Sequence, residues 1–384
     1  MINRQVELVE VKSKKQLRTF IHLPAKIHKG HANWVPPIYL DDWLFFNPKK
    51  NETFSYCDTI LLLAYDNGKC VGRIMGIINH KYNETHNEND ARFCFIETYN
   101  DSFIANKLLR AVEEWAILKG KTCLVGPLGF SDKDPQGLLI EGLDQPSVIS
   151  TICNFPYMVD LIENYGFTKK TDLVSYKISV PEASNNSYEM IYQRALRNNK
   201  DLKIVNFSKR KLLKQYVKPV LELLNQTFKN IYAFNPLSDK EMDEFADRYL
   251  MILDPRFIKV IENQKKEVVA FVLGVPDMCV GIQKSKGYIW PIGFIQILRS
   301  QKKTQLMNLL LGGIREDYRN KGLDTIMGIE MLMEAQKRGI KYIDSHLILE
   351  NNLKMRAEME KLGGIIYKKF RIYQKPIHNS SSKN

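Results

Sequence analysis

Short apolar runs that alternate with polar positions predict a β-hairpin in each half of the chain. The first hairpin covers Thr59 to Ile78, where two apolar runs flank the turn Asp66-Asn67-Gly68. An Asn-Gly pair between two such runs is a strong hairpin signal, because both turn residues must adopt positive φ. The second hairpin covers Phe257 to Val275 and turns at the polar residues 263–266. The two halves therefore have similar local structure.

A strand and a helix follow each hairpin. In the first half the apolar run 93–98 predicts the strand, and Asp101 is expected to cap the helix after it. In the second half the run 307–314 predicts the strand, and Asp324 is expected to cap the helix. Aspartate is favoured just before a helix because its carboxylate accepts hydrogen bonds from the free backbone N–H groups there.

Both halves also close in the same way, with a strand, a short helix, a glycine and a last β-rich run. The strands are predicted at 121–125 and 341–349, and the glycines are Gly166 and Gly363. A repeated order of elements of this kind indicates an internal duplication.

Two domains are expected from the length of the chain. Its 384 residues exceed what a single hydrophobic core usually organises. Residues 181–187 are polar and turn-prone, which is typical of a connection between domains. We therefore predict domains at 1–183 and 184–384.

The two predicted domains differ by insertions. The first insertion lies at 126–148 and the second at 276–303. The second is rich in large apolar residues, among them Tyr288, Trp290 and Ile297. Such a segment either lines a pocket for an acyl or lipid chain or covers the core of its own domain.

Composition narrows the class of protein. Hydrophobic residues make up 44% of the chain and no apolar run is long enough to span a membrane, so we expect a globular cytoplasmic protein. The six cysteines are scattered singly, which favours reduced thiols over zinc ligands. His28 and His31 have no further ligands nearby in the sequence, so no metal site is predicted.

The net charge of +13 favours an anionic partner. Nucleic acid, an acidic membrane surface and a phosphorylated cofactor all fit this charge. The densest basic patches, 12–15 and 209–214, lack the interleaved aromatic residues that are typical of nucleic-acid binding. Nucleic acid is therefore the less favoured partner.

The segment from Gly312 to Asp324 links a predicted strand to a helix and gives the clearest indication of a binding site. Consecutive N–H groups in a tight glycine-containing turn form a nest for anions, and the start of a helix adds positive potential at the same point. Arg319 and Lys321 supply formal charge for a pyrophosphate. The alternative is a solvated turn that only begins the helix.

This segment resembles the cofactor loop of the GNAT acyltransferase superfamily, which reads Arg/Gln-x-x-Gly-x-Gly/Ala. Arg319-Asn-Lys-Gly322-Leu-Asp324 matches the arginine and the first glycine and departs at Asp324. The resemblance implies an α/β fold of two tandem GNAT-like acyl-CoA N-acyltransferase domains, with mixed, mostly antiparallel sheets flanked by helices. It also implies a co-substrate, acetyl-CoA or a longer acyl-CoA, and no metal. The implied cofactor-binding residues are Ile314, Arg319, Asn320, Lys321, Gly322, Asp324 and Asn352.

A second motif near the C-terminus supports the resemblance. GNAT proteins often end with Asn-x-x-Ala…Tyr-Glu-Lys-Leu-Gly-Phe, and Asn352 to Gly363 preserves this spacing. Met359 stands where many members have a tyrosine that protonates the departing thiolate. In the first half, residues 161–167 resemble the same ending, but Asn100-Asp101-Ser102 lacks the glycine and the basic residues of the loop. The first domain is therefore expected to be a degenerate copy, and the second to hold the acyl-CoA site.

Acylation of an amine needs a base that takes a proton from the attacking nitrogen. Alternation along the predicted strand 341–349 places Asp344 and His346 on one face, with Glu350 at the strand's end. Glu350 is the first candidate for the base, and His346 and Asp344 are the second. The alternatives are that Glu350 caps the next helix, that His346 is a satisfied core residue and that Asp344 pairs with a lysine.

We therefore expect an enzyme that transfers an acyl group from acyl-CoA to a primary amine. The whole-chain pattern is most similar to a bacterial group of tandem GNAT-like proteins that includes ceramide synthases. This resemblance implies a long-chain, sphingoid-type amine as a lipid acceptor and peripheral contact with the inner face of the membrane. Two alternatives stay open: a Fem-like transferase that uses aminoacyl-tRNA, and a non-catalytic acyl-CoA-binding or scaffold protein.

Overall fold

The computed structural model describes residues 5–182, 186–250 and 253–378, apart from the side chains of 186–187 and 247–249. Within this part of the chain, fourteen strands join one mixed sheet and twelve α-helices flank it. Most neighbouring strands are antiparallel, and the parallel pairs described are β4 with β5 and β11 with β12, as bounded below. The predicted α/β fold class is confirmed, with the strands of both halves in one continuous sheet.

The strands in chain order are β1 (Val6–Glu10), β2 (Cys57–Asp66), β3 (Lys69–Asn79), β4 (Asp90–Thr98), β5 (Cys123–Gly126), β6 (Leu138–Glu141), β7 (Thr168–Ser179), β8 (Lys203–Asn206), β9 (Ile258–Glu262), β10 (Val268–Pro276), β11 (Leu306–Ile314), β12 (Tyr342–Asp344), β13 (Ile348–Leu349) and β14 (Ile365–Pro376). The α-helices are α1 (Lys14–Ile27), α2 (Tyr39–Phe45), α3 (His80–His86), α4 (Ser102–Leu118), α5 (Tyr157–Asn164), α6 (Asn186–Asn198), α7 (Lys214–Phe228), α8 (Asp239–Tyr249), α9 (Cys279–Lys284), α10 (Gly293–Lys303), α11 (Leu323–Lys337) and α12 (Leu353–Lys361).

Both predicted hairpins are present. Strands β2 and β3 pair along their length and are joined by Asn67 and Gly68, whose φ angles are 50° and 75°. Positive φ at both positions is what a two-residue hairpin turn requires, and Asn and Gly tolerate it. The second hairpin consists of β9 and β10, which pair around the polar turn at 263–266.

The predicted helix caps have different outcomes. Asp101 caps α4 as expected, because its Oδ1 accepts hydrogen bonds from the N–H groups of Phe103 and Ile104 at 3.1 and 3.3 Å. The prediction that Asp324 caps α11 is wrong. Gly322 occupies that position with φ of 79°, and Asp324 lies inside the first turn of the helix.

The two halves exchange strands at the centre of the sheet. The strand order is β1-β2-β3-β4-β5-β14-β7-β12-β11-β10-β9-β8. Strand β14, from the end of the second half, pairs with β5 and β7, while β7, from the end of the first half, pairs with β12. Each half therefore receives its last central strand from the other. The predicted boundary at 183 lies outside the described residues, and the division into 1–183 and 184–384 stays a prediction.

The strand predicted at 341–349 is broken in two. It runs as β12 to Asp344 and resumes as β13 at Ile348, with His346 between them at φ of 56°. A left-handed residue ends the regular alternation of side chains along a strand. The expectation that Asp344 and His346 share one strand face therefore fails at this point.

The second insertion forms α9 and α10. Ile282 and Ile297 are buried in the core of the second half, whereas Trp290, between the helices, is 79% exposed. The helices of the insertion thus cover the core, and its tip faces solvent instead of an enclosed pocket.

Two further expectations concern the chain as a whole. The six cysteines are free thiols, as the sequence predicts. Across the described ranges, none of the helices combines the length and the apolar character that a transmembrane span requires.

Candidate functional site

A wedge opens between β11 and β12. The two strands pair in parallel only over residues 306–308 and 342–344. Beyond that point the chain turns away after Asp344, and β13 pairs with β7. Strand β11 continues from Leu309 to Ile314, paired only with β10 among the described residues. Within the described part of the chain, one edge of this stretch therefore has backbone N–H and C=O groups without a strand partner.

The loop predicted to bind phosphate lies between the outer end of β11 and α11. A 3-10 turn at 316–318 leads into Arg319, and the next residues include Asn320 at φ of 60° and Gly322 at φ of 79°. Gly322, at the cap position, has no side chain, and no other side chain among the described residues caps α11. Left-handed residues beside an uncapped helix start orient backbone N–H groups toward an anion. This geometry fits the predicted phosphate site.

The loop borders an open cleft of about 360 Å³ between α6 and α11. Lys321 and Arg194 line it, and Arg319 is exposed beside them. Asn199 braces the loop, since its Nδ2 donates to the carbonyl oxygens of Lys321 and Ala195, both at 2.8 Å. Two cations and a braced loop therefore lie at the start of α11, and a third cation, Arg319, is exposed in the same loop.

The flanking residues of the cofactor motif have local partners. The carbonyl of Ile314 accepts a hydrogen bond from Arg319 Nε at 3.3 Å. Asp324 Oδ1 accepts the N–H of Thr325 at 2.9 Å, so its carboxylate uses one N–H group of the first helical turn. A carboxylate here gains from the helix dipole, but it also competes with a phosphate for the same positive end.

Asp344 lies at the inner end of the wedge and is fully buried. Its Oδ2 accepts the hydroxyl of Tyr367 at 2.5 Å, and its Oδ1 accepts the N–H of His346 at 2.7 Å. Tyr367, on β14, is half-buried. Burial and the neighbouring Asp344 raise the pKa of Tyr367, so its hydroxyl stays protonated.

A further polar cluster adjoins this pair. Asn308, opposite Asp344 in the sheet, donates from Nδ2 to Oδ1 of Asp277 at 3.2 Å, while its own Oδ1 has no partner among the described residues. Burial raises the pKa of Asp277. Lys368 is also buried, and burial lowers its pKa against the opposing influence of Asp344. Buried ionisable groups with shifted pKa values are typical of functional sites.

His346 contacts the first half of the chain. Its Nε2 lies 3.2 Å from the carbonyl oxygen of Ile149, and burial lowers its pKa. An imidazole with a lowered pKa is neutral at physiological pH. In this arrangement Nε2 carries the proton that the carbonyl accepts, so this nitrogen is engaged rather than free.

Glu350 lies at the end of β13 in an ion pair. Its Oε2 accepts Lys169 Nζ at 2.7 Å, and its Oε1 accepts the N–H of Asp172 at 3.0 Å. Burial acts to raise the pKa of Glu350, but these hydrogen bonds outweigh it and hold the pKa below its usual value. A carboxylate with a lowered pKa is a weaker base. The role of Glu350 as the base stays a prediction.

The C-terminal motif forms the helix α12. Asn352 caps it, with Oδ1 accepting the N–H of Met355 at 3.3 Å. Met359 is buried in the core beside Leu332 and Ile343. A buried methionine cannot donate a proton, so the position that is a tyrosine in many GNAT proteins is structural here.

The equivalent wedge of the first half is filled by its own chain. Strands β4 and β5 pair over residues 90–92 and 123–125, and the segment after β5 then follows β4, with Leu128 N–H donating to the carbonyl of Phe93 at 2.9 Å. The buried Arg92 donates to the carbonyl of Phe130 at 2.8 Å. The first insertion therefore occupies the space that stays open in the second half.

His28 and His31 lie together in the first half. Their Nδ1 atoms are 2.9 Å apart, His28 Nε2 lies 3.2 Å from Glu97, and both rings stack on Phe155. Within the described ranges, no group of three or more His, Cys, Asp or Glu side chains is arranged to hold a metal ion.

Sequence reasoning missed Tyr367, Asp277, Arg194 and Asn199. Tyr367 comes from β14, which reaches Asp344 only through the strand exchange. Asp277 carried a local signal, since it is the single carboxylate of the apolar insertion at 276–303. Arg194 and Asn199 lie over a hundred residues before the loop that they border, and no local pattern connects them to it.

Known proteins resemble this chain over nearly its full length. No protein family model matches it. Among curated proteins, "Bacterial ceramide synthase" of Caulobacter vibrioides is 26% identical over 388 residues and covers 98% of each chain. "Protein YghO" of Escherichia coli is 24% identical and covers 95% of this chain and 94% of its own.

Solved structures share the fold. A tandem GNAT protein from the clavulanic acid biosynthesis pathway superposes with a TM-score of 0.56 at 12% identity, covering 98% of this chain and 100% of that one. A GCN5-related N-acetyltransferase from Sphaerobacter thermophilus has a TM-score of 0.54 at 10% identity, with 97% and 96% covered. The predicted tandem GNAT fold is confirmed, as is the resemblance to the group that includes bacterial ceramide synthases.

Proposed function

We propose that this chain, a GNAT-type acyltransferase with two such units in tandem, transfers an acyl group from acyl-CoA to a primary amine in its second half. One observation carries the proposal: the single strand β11 links the two parts of the site. Ile314, at its outer end, leads into the cationic loop, and Asn308 lies opposite Asp344. Ile314 and Asn308 are separated by about 20 Å along the extended strand. This span suits a donor whose nucleotide and thioester are joined by a long arm.

The protein has groups that can bind both the pyrophosphate and the pantetheine arm of the donor. Arg194, Arg319 and Lys321 supply charge for a pyrophosphate, and the start of α11 adds its positive end. The free edge of β11 at 309–314 offers N–H and C=O groups to the amides of a pantetheine arm. When bound, acyl-CoA supplies the thioester carbonyl carbon that an amine attacks.

The Asp344–Tyr367 pair is suited to move the proton that the amine must lose. As the Tyr367 oxygen accepts this proton, the hydroxyl's own proton passes to Asp344 across the 2.5 Å hydrogen bond. The pair then returns the proton to the departing thiolate. The raised pKa of Tyr367 keeps its hydroxyl protonated, which agrees with a relay in which no free phenolate forms. We therefore favour Asp344 over Glu350, whose carboxylate is held in an ion pair.

We further propose a long-chain, sphingoid-type amine as the acceptor. The relative from Caulobacter vibrioides that matches nearly the whole chain carries the name of a ceramide synthase. The insertion that holds α9 and α10 includes Asp277 of the buried cluster and exposes apolar side chains. A lipid acceptor would require the protein to work at a membrane surface.

The donor site is tested by changing Arg319 and Lys321 together to Ala and measuring CoA affinity by isothermal titration calorimetry. We expect a loss of about 1–3 kcal/mol, roughly 5- to 150-fold, the scale of charge-assisted hydrogen bonds. The matched control changes Lys209 and Lys211 to Ala, because both are exposed and the net charge falls equally. Unchanged affinity in the folded double variant would reject the site.

The acceptor is tested by thiol release from donors between acetyl-CoA and palmitoyl-CoA, each with small, polar and long-chain amines. If a chain is bound, each buried methylene adds up to about 0.8 kcal/mol, so rates should climb along at least one series. Equal rates along both series point to a small polar acceptor. CoA binding without thiol release supports the non-catalytic alternative, and salt-sensitive tRNA binding supports the Fem-like one.

A further inference from the structure

The tip of the second insertion, residues 288–295, exposes large apolar side chains. Tyr288, Trp290, Ile292 and Ile295 are 52%, 79%, 60% and 47% exposed. Exposed large apolar side chains that are concentrated in one short segment indicate an interaction site. The helices on either side of the tip are anchored in the core through Ile282 and Ile297, and most of the exposed large apolar side chains of the insertion lie in the tip.

The tip has a fixed conformation. A Cβ on Gly293 would lie 1.7 Å from the carbonyl oxygen of Tyr288, and one on Gly287 would lie 2.3 Å from that of Pro37, so both positions require glycine. The N–H of Tyr39 donates to the carbonyl of Gly287 at 3.1 Å, which ties the tip to α2. The apolar side chains are therefore held outward by the backbone around them.

The segment around the tip carries charge of one sign. Between Cys279 and Lys303 the sequence has five basic residues and no acidic one. The five basic side chains are all exposed, and they are Lys284, Lys286, Arg299, Lys302 and Lys303. Exposed aromatic and aliphatic residues in a segment whose charged side chains are all cationic are the pattern with which peripheral proteins bind anionic lipid surfaces.

We propose that the insertion tip docks on an anionic phospholipid bilayer, with Trp290 and Ile292 in the interface and the lysines above the headgroups. Asp277 and Asn308, at the two roots of the insertion, are joined by a hydrogen bond of 3.2 Å within the buried polar cluster. Docking of the tip thus brings the bilayer to the segment that borders the proposed acyl-transfer site. The docking itself requires no acyl transfer, so each proposal fails separately.

The test is co-sedimentation of the full-length protein with vesicles of phosphatidylcholine alone or mixed with phosphatidylglycerol. We expect binding only with phosphatidylglycerol, and weaker binding as salt is raised. Changing Lys284 and Lys286 to Ala should weaken binding roughly fivefold for each cation removed. Absence of binding to the mixed vesicles at low salt would overturn the proposal.

The apolar contribution is tested with Trp290→Ser combined with Ile292→Ser, for which we expect at least a tenfold loss of vesicle binding. The matched control is Leu118→Ser with Leu212→Ser, which removes exposed apolar side chains elsewhere. Brominated lipids should quench the fluorescence of the parent protein but not that of a Trp290→Phe variant that still binds. Equal binding by the tip variant and the control would refute the proposal. So would light scattering that shows a dimer lost only in the tip variant, because the tip would then bind a second copy.

Discussion

Replacing Tyr367 by Phe tests the proton relay most directly. The change removes one hydroxyl, whose hydrogen bond to Asp344 Oδ2 is 2.5 Å long, and keeps the ring. Without the hydroxyl, the proton of the amine has no path to the buried carboxylate. A positioned proton-transfer group contributes roughly 10²- to 10⁴-fold to a rate, and we expect kcat to fall by that factor. CoA affinity should not change, because the donor loop lies at the other end of β11.

The same change has a cost in stability that can be estimated. Asp344 keeps the hydrogen bond from the His346 N–H at 2.7 Å but loses the one to its Oδ2 in a fully buried position. Leaving one oxygen of a buried carboxylate without its partner costs about 1–3 kcal/mol. A small loss in thermal stability should therefore accompany the large loss in rate, and the variant should remain folded.

The assay is thiol release at saturating acyl-CoA, with Tyr342→Phe as the matched control. Tyr342 is on β12, two residues before Asp344, and it is 39% exposed. The combination of Tyr367→Phe with Asp344→Asn should be no slower than the slower single variant, because both act in one relay. Near-normal turnover by Tyr367→Phe, or additive effects in the double variant, would refute the relay.

Three further predictions concern other parts of the molecule. Glu350→Gln should change kcat only a few-fold and cost less than about 1 kcal/mol of stability, because its ion pair is partly exposed; a hundredfold loss would instead make Glu350 the base. Asp277→Asn should raise the melting temperature at neutral pH and flatten its fall with pH. Burial raises the pKa of Asp277 above 3.8, so the folded state binds the proton more tightly and stability declines as pH rises through this window; a lower melting temperature would contradict this. Residues 1–182 expressed alone should not fold cooperatively, because β5 and β7 lack β14 between them, and co-expression with 186–384 should restore solubility; a cooperative melt of the fragment alone would show independent folding.

The parts of the fold that the sequence predicted correctly depend on local signals. The turn at Asn67 and Gly68 requires positive φ at two adjacent residues, and Asn and Gly are the residue types that adopt positive φ most readily. Asp101 precedes an apolar helix pattern by one residue, and nothing else competes for the cap. These interactions join residues close in sequence, so one stretch of chain contains all the information.

Predictions from local signals were wrong where a single residue changed the direction of the backbone. Gly322 takes the cap position of α11, so the carboxylate of Asp324 falls inside the first turn. His346 adopts a left-handed conformation that breaks the predicted strand after Asp344. Periodicity cannot reveal such a break, because the apolar and polar residues on either side still alternate.

The partners of the candidate catalytic residues could not be predicted, because the strand exchange creates them. Tyr367 meets Asp344, and Lys169 meets Glu350, only because β14 and β7 lie side by side and β7 adjoins β12. These pairs join residues from 23 to 181 positions apart. No periodic pattern carries information on which strand of a duplicated fold occupies the centre of the sheet.

The strand exchange also explains how a first half without a phosphate loop contributes contacts to the proposed site in the second. Strand β7 completes the sheet beside β12, and the carbonyls of Pro146 and Ile149 accept hydrogen bonds from Lys368 and His346. Pro146 belongs to the first insertion, which includes the segment that fills the wedge of the first half, and Ile149 follows it directly. Once that wedge is filled, the same insertion and the residue after it can contact the open wedge of the second half. The filling of the first wedge and the contacts of Pro146 and Ile149 with Lys368 and His346 are therefore two effects of one stretch of chain.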